Sequence, residues 1–127
     1  GMDDSSTLIT VENETAYIEI ARRHLGDDPR IQFFLEDGSD FLRNRTTQKF
    51  DFIFADTWPG KYYDLDEALN LLKTGGLYVI DDMLPQDNWP DDHPPKVADL
   101  ISSLAQNSNL NITKLAWSTG IIIAVKR

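Results

Sequence analysis

Residues Phe50 to Met83 read FDFIFADTWPGKYYDLDEALNLLKTGGLYVIDDM, and this stretch decides the fold. It holds two apolar runs that each end in acid. Phe50-Asp51-Phe52-Ile53-Phe54-Ala55 stops at Asp56, and Leu77-Tyr78-Val79-Ile80 stops at Asp81-Asp82. Short runs of β-branched and aromatic residues bounded by Gly read as strands buried on both faces. Between them Leu65, Ala68, Leu69 and Leu72 recur at helical spacing, and Gly75-Gly76 breaks the pattern. Asp64 and Glu67 have the spacing of a capping box at that helix's start. Strand, helix, strand predicts a parallel pair with a right-handed crossover. In open α/β sheets the ligand sits beyond the carboxyl ends of the strands, where both acidic groups lie.

Working outward, Thr7 to Val11 is a β-prone run ending at Glu12. Asn13 is placed to cap a helix over residues 14–25, whose Tyr17, Ile20, Ala21 and His24 share one face. Gly26 is placed to end it, and Arg30 to Leu35 forms a strand leading to Glu36-Asp37-Gly38. Ser39 to Arg45 makes a short helix. Downstream, Pro85 to Pro95 is a loop rich in Pro and Asp, incompatible with a helix interior or a central strand. Val97, Leu100, Ile101 and Leu104 mark a helix over residues 95–106. Residues 112–117 and 121–126 form strands of a hairpin closed by Ser118-Thr119-Gly120. The order β-α-β-α-β-α-β-α-β-β predicts an α/β fold with a mostly parallel sheet and a C-terminal antiparallel hairpin.

The 127 residues make one domain with enough apolar content for a sizeable core. Twenty-one acids against 12 Lys and Arg give a formal net charge of −9, which argues against a nucleic-acid partner. There is no cysteine, hence no disulfide framework, thiolate nucleophile or Cys-ligated metal, and a reducing compartment is compatible. No apolar run is long enough to cross a membrane, and the polar N-terminus is no signal peptide, so the expected location is the cytoplasm. Gly1 before Met2 reads as a cloning remnant.

The strand ends Val11-Glu12-Asn13, Leu35-Glu36-Asp37-Gly38, Phe54-Ala55-Asp56 and Ile80-Asp81-Asp82, followed by a hairpin, carry a resemblance. The chain resembles a class I S-adenosylmethionine-dependent methyltransferase, most closely the small-molecule O-methyltransferases related to catechol O-methyltransferase. The resemblance spans about Thr7 to Arg127. It implies a Rossmann-like three-layer sandwich and methyl transfer to a small-molecule oxygen. One departure stands out. The family's first strand, its Gly-rich loop and the following helix have no counterpart here, and no G-x-G-x-G occurs. Residues 1–127 therefore read as a single truncated methyltransferase-like domain. A missing central strand leaves two strand edges that should pair with each other or with a partner chain, which predicts a homo-oligomer.

By the resemblance, Glu12 accepts hydrogen bonds from the ribose hydroxyls, and Asp37 takes one from the adenine amino group, with Gly38 giving the base room. Asn13 and Asp56 complete the implied cofactor contacts. The ordinary readings are a first-turn acid and an Asp-Gly turn. Asp56, Asp81 and Asp82 form a carboxylate cluster that needs a cation, and all-oxygen ligands suit Mg²⁺ or Ca²⁺. Relatives carry Asp, Asp and Asn at matching positions, so Asp82 adds a charge. Relatives also place a lysine base three residues after the first metal Asp, where this chain has Pro59. Lys61, two residues further on, and His93 are the candidate bases, against the ordinary reading of two solvated loop residues. Trp58, Trp89 and Tyr62-Tyr63 either wall an acceptor pocket or pack their own loops. The competing function is a catalytically inactive fragment acting as an assembly module. A phosphate-binding Rossmann protein is weaker, since no Gly-rich turn opens a helix.

Overall fold

The computed structural model describes Met2–Arg127, so Gly1, read above as a cloning remnant, lies outside the described residues. Ten elements follow in order: β1 (Leu8–Glu12), α1 (Thr15–Leu25), β2 (Ile31–Leu35), α2 (Gly38–Asn44), β3 (Phe50–Ala55), α3 (Leu65–Leu71), β4 (Leu72–Ile80), α4 (His93–Gln106), β5 (Leu110–Leu115) and β6 (Ile121–Lys126). This is the Rossmann-like α/β order the sequence predicts. β1 pairs in parallel with β2, and β3 with β4, while β6 runs antiparallel to both β4 and β5.

The strands form two sheets, β1-β2 and β3-β4-β6-β5. The expected direct pairing of the two orphan edges does not occur: no ladder joins β1 to β3. The halves meet instead through α2, which packs on both β1 and α3. Gly38, at the start of α2, lies so near Pro59 that a Cβ there would stand 2.9 Å from the Pro59 ring.

The larger sheet is packed on one face. Ala55, Tyr78, Ile80, Ile122 and Ala124 point to α3 and α4 and form one core with Ala68, Leu69, Val97, Leu100 and Leu104. Period-2 alternation sends Phe52, Phe54 and Leu77 to the other face, where Phe52 and Phe54 are each 53% exposed. A fully buried large apolar side chain contributes roughly 1.5–3 kcal/mol, so the stability of this half resides on the α3/α4 side.

Several boundaries differ from expectation for local reasons. Asn13 does not cap α1: Glu14 holds the N-cap position without a side-chain bond. In α1 only Ile18 is buried, and the expected Tyr17–Ile20 face is exposed. Asp64 sits at the N-cap of α3, but with φ 54° and no capping bond, because its carboxylate pairs with Arg43 at 2.7 Å. Gly75-Gly76 lies inside β4 as a bulge, where the register with β3 jumps from Phe50↔Leu72 to Phe52↔Leu77. α4 begins at His93, so Pro94 and Pro95 open the helix instead of ending the loop; the first turn needs no N–H from them. β5 begins at Leu110, two residues early.

Candidate active site

Asp56 follows β3, and the chain then folds tightly back on itself. The N–H groups of Lys61 and Tyr62 both donate to the Trp58 carbonyl, at 3.0 and 2.9 Å. Gly60 makes this turn possible. Its φ is +82°, and a Cβ would stand 2.8 Å from the Tyr78 hydroxyl. That hydroxyl donates to the Gly60 carbonyl. The turn drives Lys61 inward, where it is 4% exposed and its Nζ donates to the Asp81 carbonyl at 2.7 Å. The solvated loop lysine is thus excluded. Burial pushes the Lys61 ammonium below the ordinary lysine value, against the opposing pull of Asp82, Asp56 and Asp81.

Asp81 and Asp82 follow β4. Asp81 Oδ1 accepts from the Asp82 N–H and from the Thr119 hydroxyl, both at 2.8 Å. Asp82 takes a left-handed backbone, φ 58°. The hairpin turn between β5 and β6 grips the same segment, since Met83 and Leu84 donate to the Gly120 and Thr119 carbonyls at 3.0 and 2.8 Å. The Asp56 carboxyl is raised by desolvation first, then by Asp81 and Asp82. The three acids therefore share one electrostatic neighbourhood, as expected. Among the described residues no three acidic or histidine side chains converge to hold a metal ion. One Asp81 oxygen is already bonded twice, and the Lys61 amine enters from the side.

His93 is 8% exposed at the first position of α4. Its Nε2 lies 2.9 Å from the Tyr62 hydroxyl, and the Trp89 ring stacks on it with centroids 4.3 Å apart. Trp58 adds edge contacts to Tyr62, Tyr63 and His93. Trp58, Tyr62 and Trp89 therefore pack around the imidazole, and Tyr63 packs on Trp58. Burial raises the Tyr62 phenol, and the nearby Asp82 carboxylate adds to that.

At the other sheet, Glu12 ends β1 and accepts the Glu14 N–H at 2.9 Å through Oε1. Asp37 caps α2, with Oδ1 accepting from Ser39 and Asp40 at 2.8 and 3.2 Å. Each acid commits one oxygen to its own chain, and no bond to its second oxygen is formed among the described residues. At Gly38 the missing side chain makes room for Pro59. Asn13 is exposed beside Glu12.

Two shallow hollows, lined by Asp66, Asn107 and Lys126 and by Leu42, Thr46 and Lys49, lie away from these strand ends. Sequence reading missed Thr119. Nothing local marks a hairpin threonine as the partner of an aspartate 38 positions earlier. It also missed the Tyr62–His93 bond, although both residues stood out singly.

A family model described as O-methyltransferase matches residues 1–127. No curated protein sequence matches the chain. Among solved structures, an O-methyltransferase of Bacillus cereus in complex with S-adenosylhomocysteine superposes with TM-score 0.85 at 22% identity, covering 100% of this chain and 66% of that one. The Streptomyces achromogenes O-methyltransferase involved in tomaymycin synthesis, in complex with S-adenosylmethionine, gives 0.82 at 22% identity, covering 98% and 64%. A Corynebacterium glutamicum protein gives 0.82 at 20% identity, covering 99% and 63%. The chain thus spans just under two thirds of the length of these structures.

Proposed function

The chain belongs to the O-methyltransferase family, and on that footing we propose that it transfers the methyl group of S-adenosylmethionine to an oxygen of a small molecule. One observation carries the reading. Parallel strands end in Glu12, Asp37 and Asp56, and a buried lysine enters beside the last of them. Glu12 and Asp37, with Asn13 alongside, are the adenosine-binding residues. The bound cofactor supplies an electrophilic methyl on a sulfonium. The acceptor's hydroxyl proton passes to the Lys61 amine, whose ammonium burial holds below the ordinary lysine value. Asp81, held by Thr119, fixes Nζ through its carbonyl. His93 orients the Tyr62 phenol at the rim of the acceptor site and is not the base, since its Nε2 is engaged by that phenol.

The test is methyl transfer from radiolabelled S-adenosylmethionine to a panel of phenols and aliphatic alcohols. Turnover by the wild-type chain that Lys61→Met removes supports the reading. Turnover undiminished in Lys61→Met contradicts the assignment of the base.

A second reading has its own observation. The unjoined edges of β1 and β3 and the exposed Phe52 and Phe54 form an assembly surface. We propose that this surface makes the chain a homo-oligomer, a property that an enzyme and an inactive assembly module would share. The cytoplasm is the proposed location: no helix among the described residues is long and apolar enough to cross a membrane, and the chain has no cysteine.

A further inference from the structure

We infer that the ion pair between Arg43 and Asp64 is a positioning device: it locks α2, the helix that Asp37 caps, against the turn that carries Lys61. The inference rests on the proposed function, in which Asp37 and Lys61 serve one reaction. Those two residues belong to different halves of the molecule. Among the described residues no ladder joins β1 to β3, so no hydrogen-bonded sheet sets their separation. The element that bridges the halves is α2, which packs on both β1 and α3.

α2 meets that turn at three successive points. Gly38, next to Asp37, lies against Pro59, where an added Cβ would stand 2.9 Å from the ring. Leu42, one turn further along α2, faces Gly60, and a Cβ at Gly60 would stand 3.8 Å from its Cδ1. Arg43 closes the far end. One of its guanidinium nitrogens lies 2.7 Å from Asp64 Oδ1, and its Nε donates to the same oxygen at 2.9 Å. The segment from Pro59 to Asp64, with Lys61 inside it, is therefore held by α2 at both ends.

Asp64 is shaped for this contact and not for its own helix. It takes a left-handed backbone, φ 54°, and makes no capping bond to α3. Its side chain is 7% exposed, and its second oxygen is buried without a well-formed hydrogen bond among the described residues. The Ser39 hydroxyl, one turn before Arg43 on α2, nevertheless draws the carboxyl below its ordinary range, and Arg43 adds to that. A strained backbone and an unpaired buried oxygen each cost stability. The ion pair offsets little of this, because the Arg43 side chain is 58% exposed and solvent screens it. What the pair does supply is geometry. A base must stand within hydrogen-bond reach of the proton it takes, and a small misplacement costs rate far more than it costs stability.

The test combines kinetics with a distance between the halves. Arg43→Met and Asp64→Asn are made singly and together, and Asn keeps the left-handed backbone accessible. Each single variant lowers kcat for methyl transfer by about 10–10²-fold. S-adenosylhomocysteine affinity moves by less than about twofold, since Glu12 and Asp37 stay within their own half, and the double variant is no slower than the slower single one. The chain has no cysteine, so Arg23→Cys on α1 and Ser103→Cys on α4, both exposed, place one spin label in each half. Pulsed electron paramagnetic resonance finds one narrow distance with the native pair and a broadened one in Asp64→Asn. Multiplicative losses in the kinetic cycle, or a loss of S-adenosylhomocysteine affinity equal to the loss of kcat, would overturn the positioning role. So would label distances unchanged in Asp64→Asn. A wild-type chain without turnover defeats the proposed function, and the label distances then decide the lock by themselves.

Discussion

At the scale of single residues, position in sequence and position in space disagree most at Lys61. Pro59 stands where the resemblance places a lysine, and Lys61 lies two residues beyond. The turn at Gly60 folds the backbone over the Trp58 carbonyl and carries Lys61 inward. Lys61→Met should lower methyl transfer by about 10²–10⁴-fold, the usual loss on removing a proton-transfer group, while S-adenosylhomocysteine affinity stays unchanged. Parallel kinetics and calorimetry read the two effects separately. Tyr78 gives a prediction in pH. Burial raises its phenol well above the ordinary value of 10.0. The folded state therefore keeps the proton while the unfolded chain loses it above about pH 10. Stability from this group is full below that pH and declines as pH rises beyond it. Alkaline melts should show this decline, and Tyr78→Phe should lessen it. The acidic strand ends were legible as residues because strands end in them. Their partners were not: Thr119 reaches Asp81 across 38 positions, and Asn13, a good cap by type, is bypassed because Glu14 takes that place.

At the scale of elements, the hairpin turn between β5 and β6 is a clamp on the segment that bears Asp81 and Asp82. Gly120, at φ +89°, packs so closely on Leu84 that a Cβ would stand 2.6 Å from its backbone nitrogen. Gly120→Ala should therefore cost about 1–3 kcal/mol in a urea melt, through backbone strain and through displacement of that segment. Thr119→Val removes a hydroxyl from a charged acceptor and should cost about 1.5–3 kcal/mol, with Thr119→Ser restoring most of it. The existence and type of all ten elements were legible, since periods of 2 and 3.6 separate cleanly between Phe50 and Ile80. The ends were not. Pro94 and Pro95 looked like loop residues, yet a helix's first turn accepts them. Gly75-Gly76 looked like a break between elements, yet β4 runs through it as a bulge. In α1, Tyr17 and Ile20 have the spacing of a core face, but no element covers that side and only Ile18 is buried.

At the scale of the whole molecule, the sheet is split. The parallel pairing of β3 with β4 and the antiparallel hairpin of β5 and β6 were legible from the alternation of elements, but the fate of the two edges was not, because pairing depends on what lies between them. β1 and β3 remain unjoined, and Phe52 and Phe54 are half exposed. Sedimentation velocity should find the chain self-associated, and Phe52→Asp with Phe54→Asp should shift it toward monomer. A wild-type chain that stays monomeric at high concentration would contradict that expectation. The central claim concerns the strand ends, where Glu12 and Asp37 each hold out one carboxylate oxygen. A calorimetric titration of the 127-residue chain with S-adenosylhomocysteine tests it most directly. The account predicts saturable binding that Glu12→Ala abolishes without lowering the melting temperature by more than a surface change would. A folded wild-type chain that binds nothing, or a Glu12→Ala chain that binds as well as wild type, would contradict it.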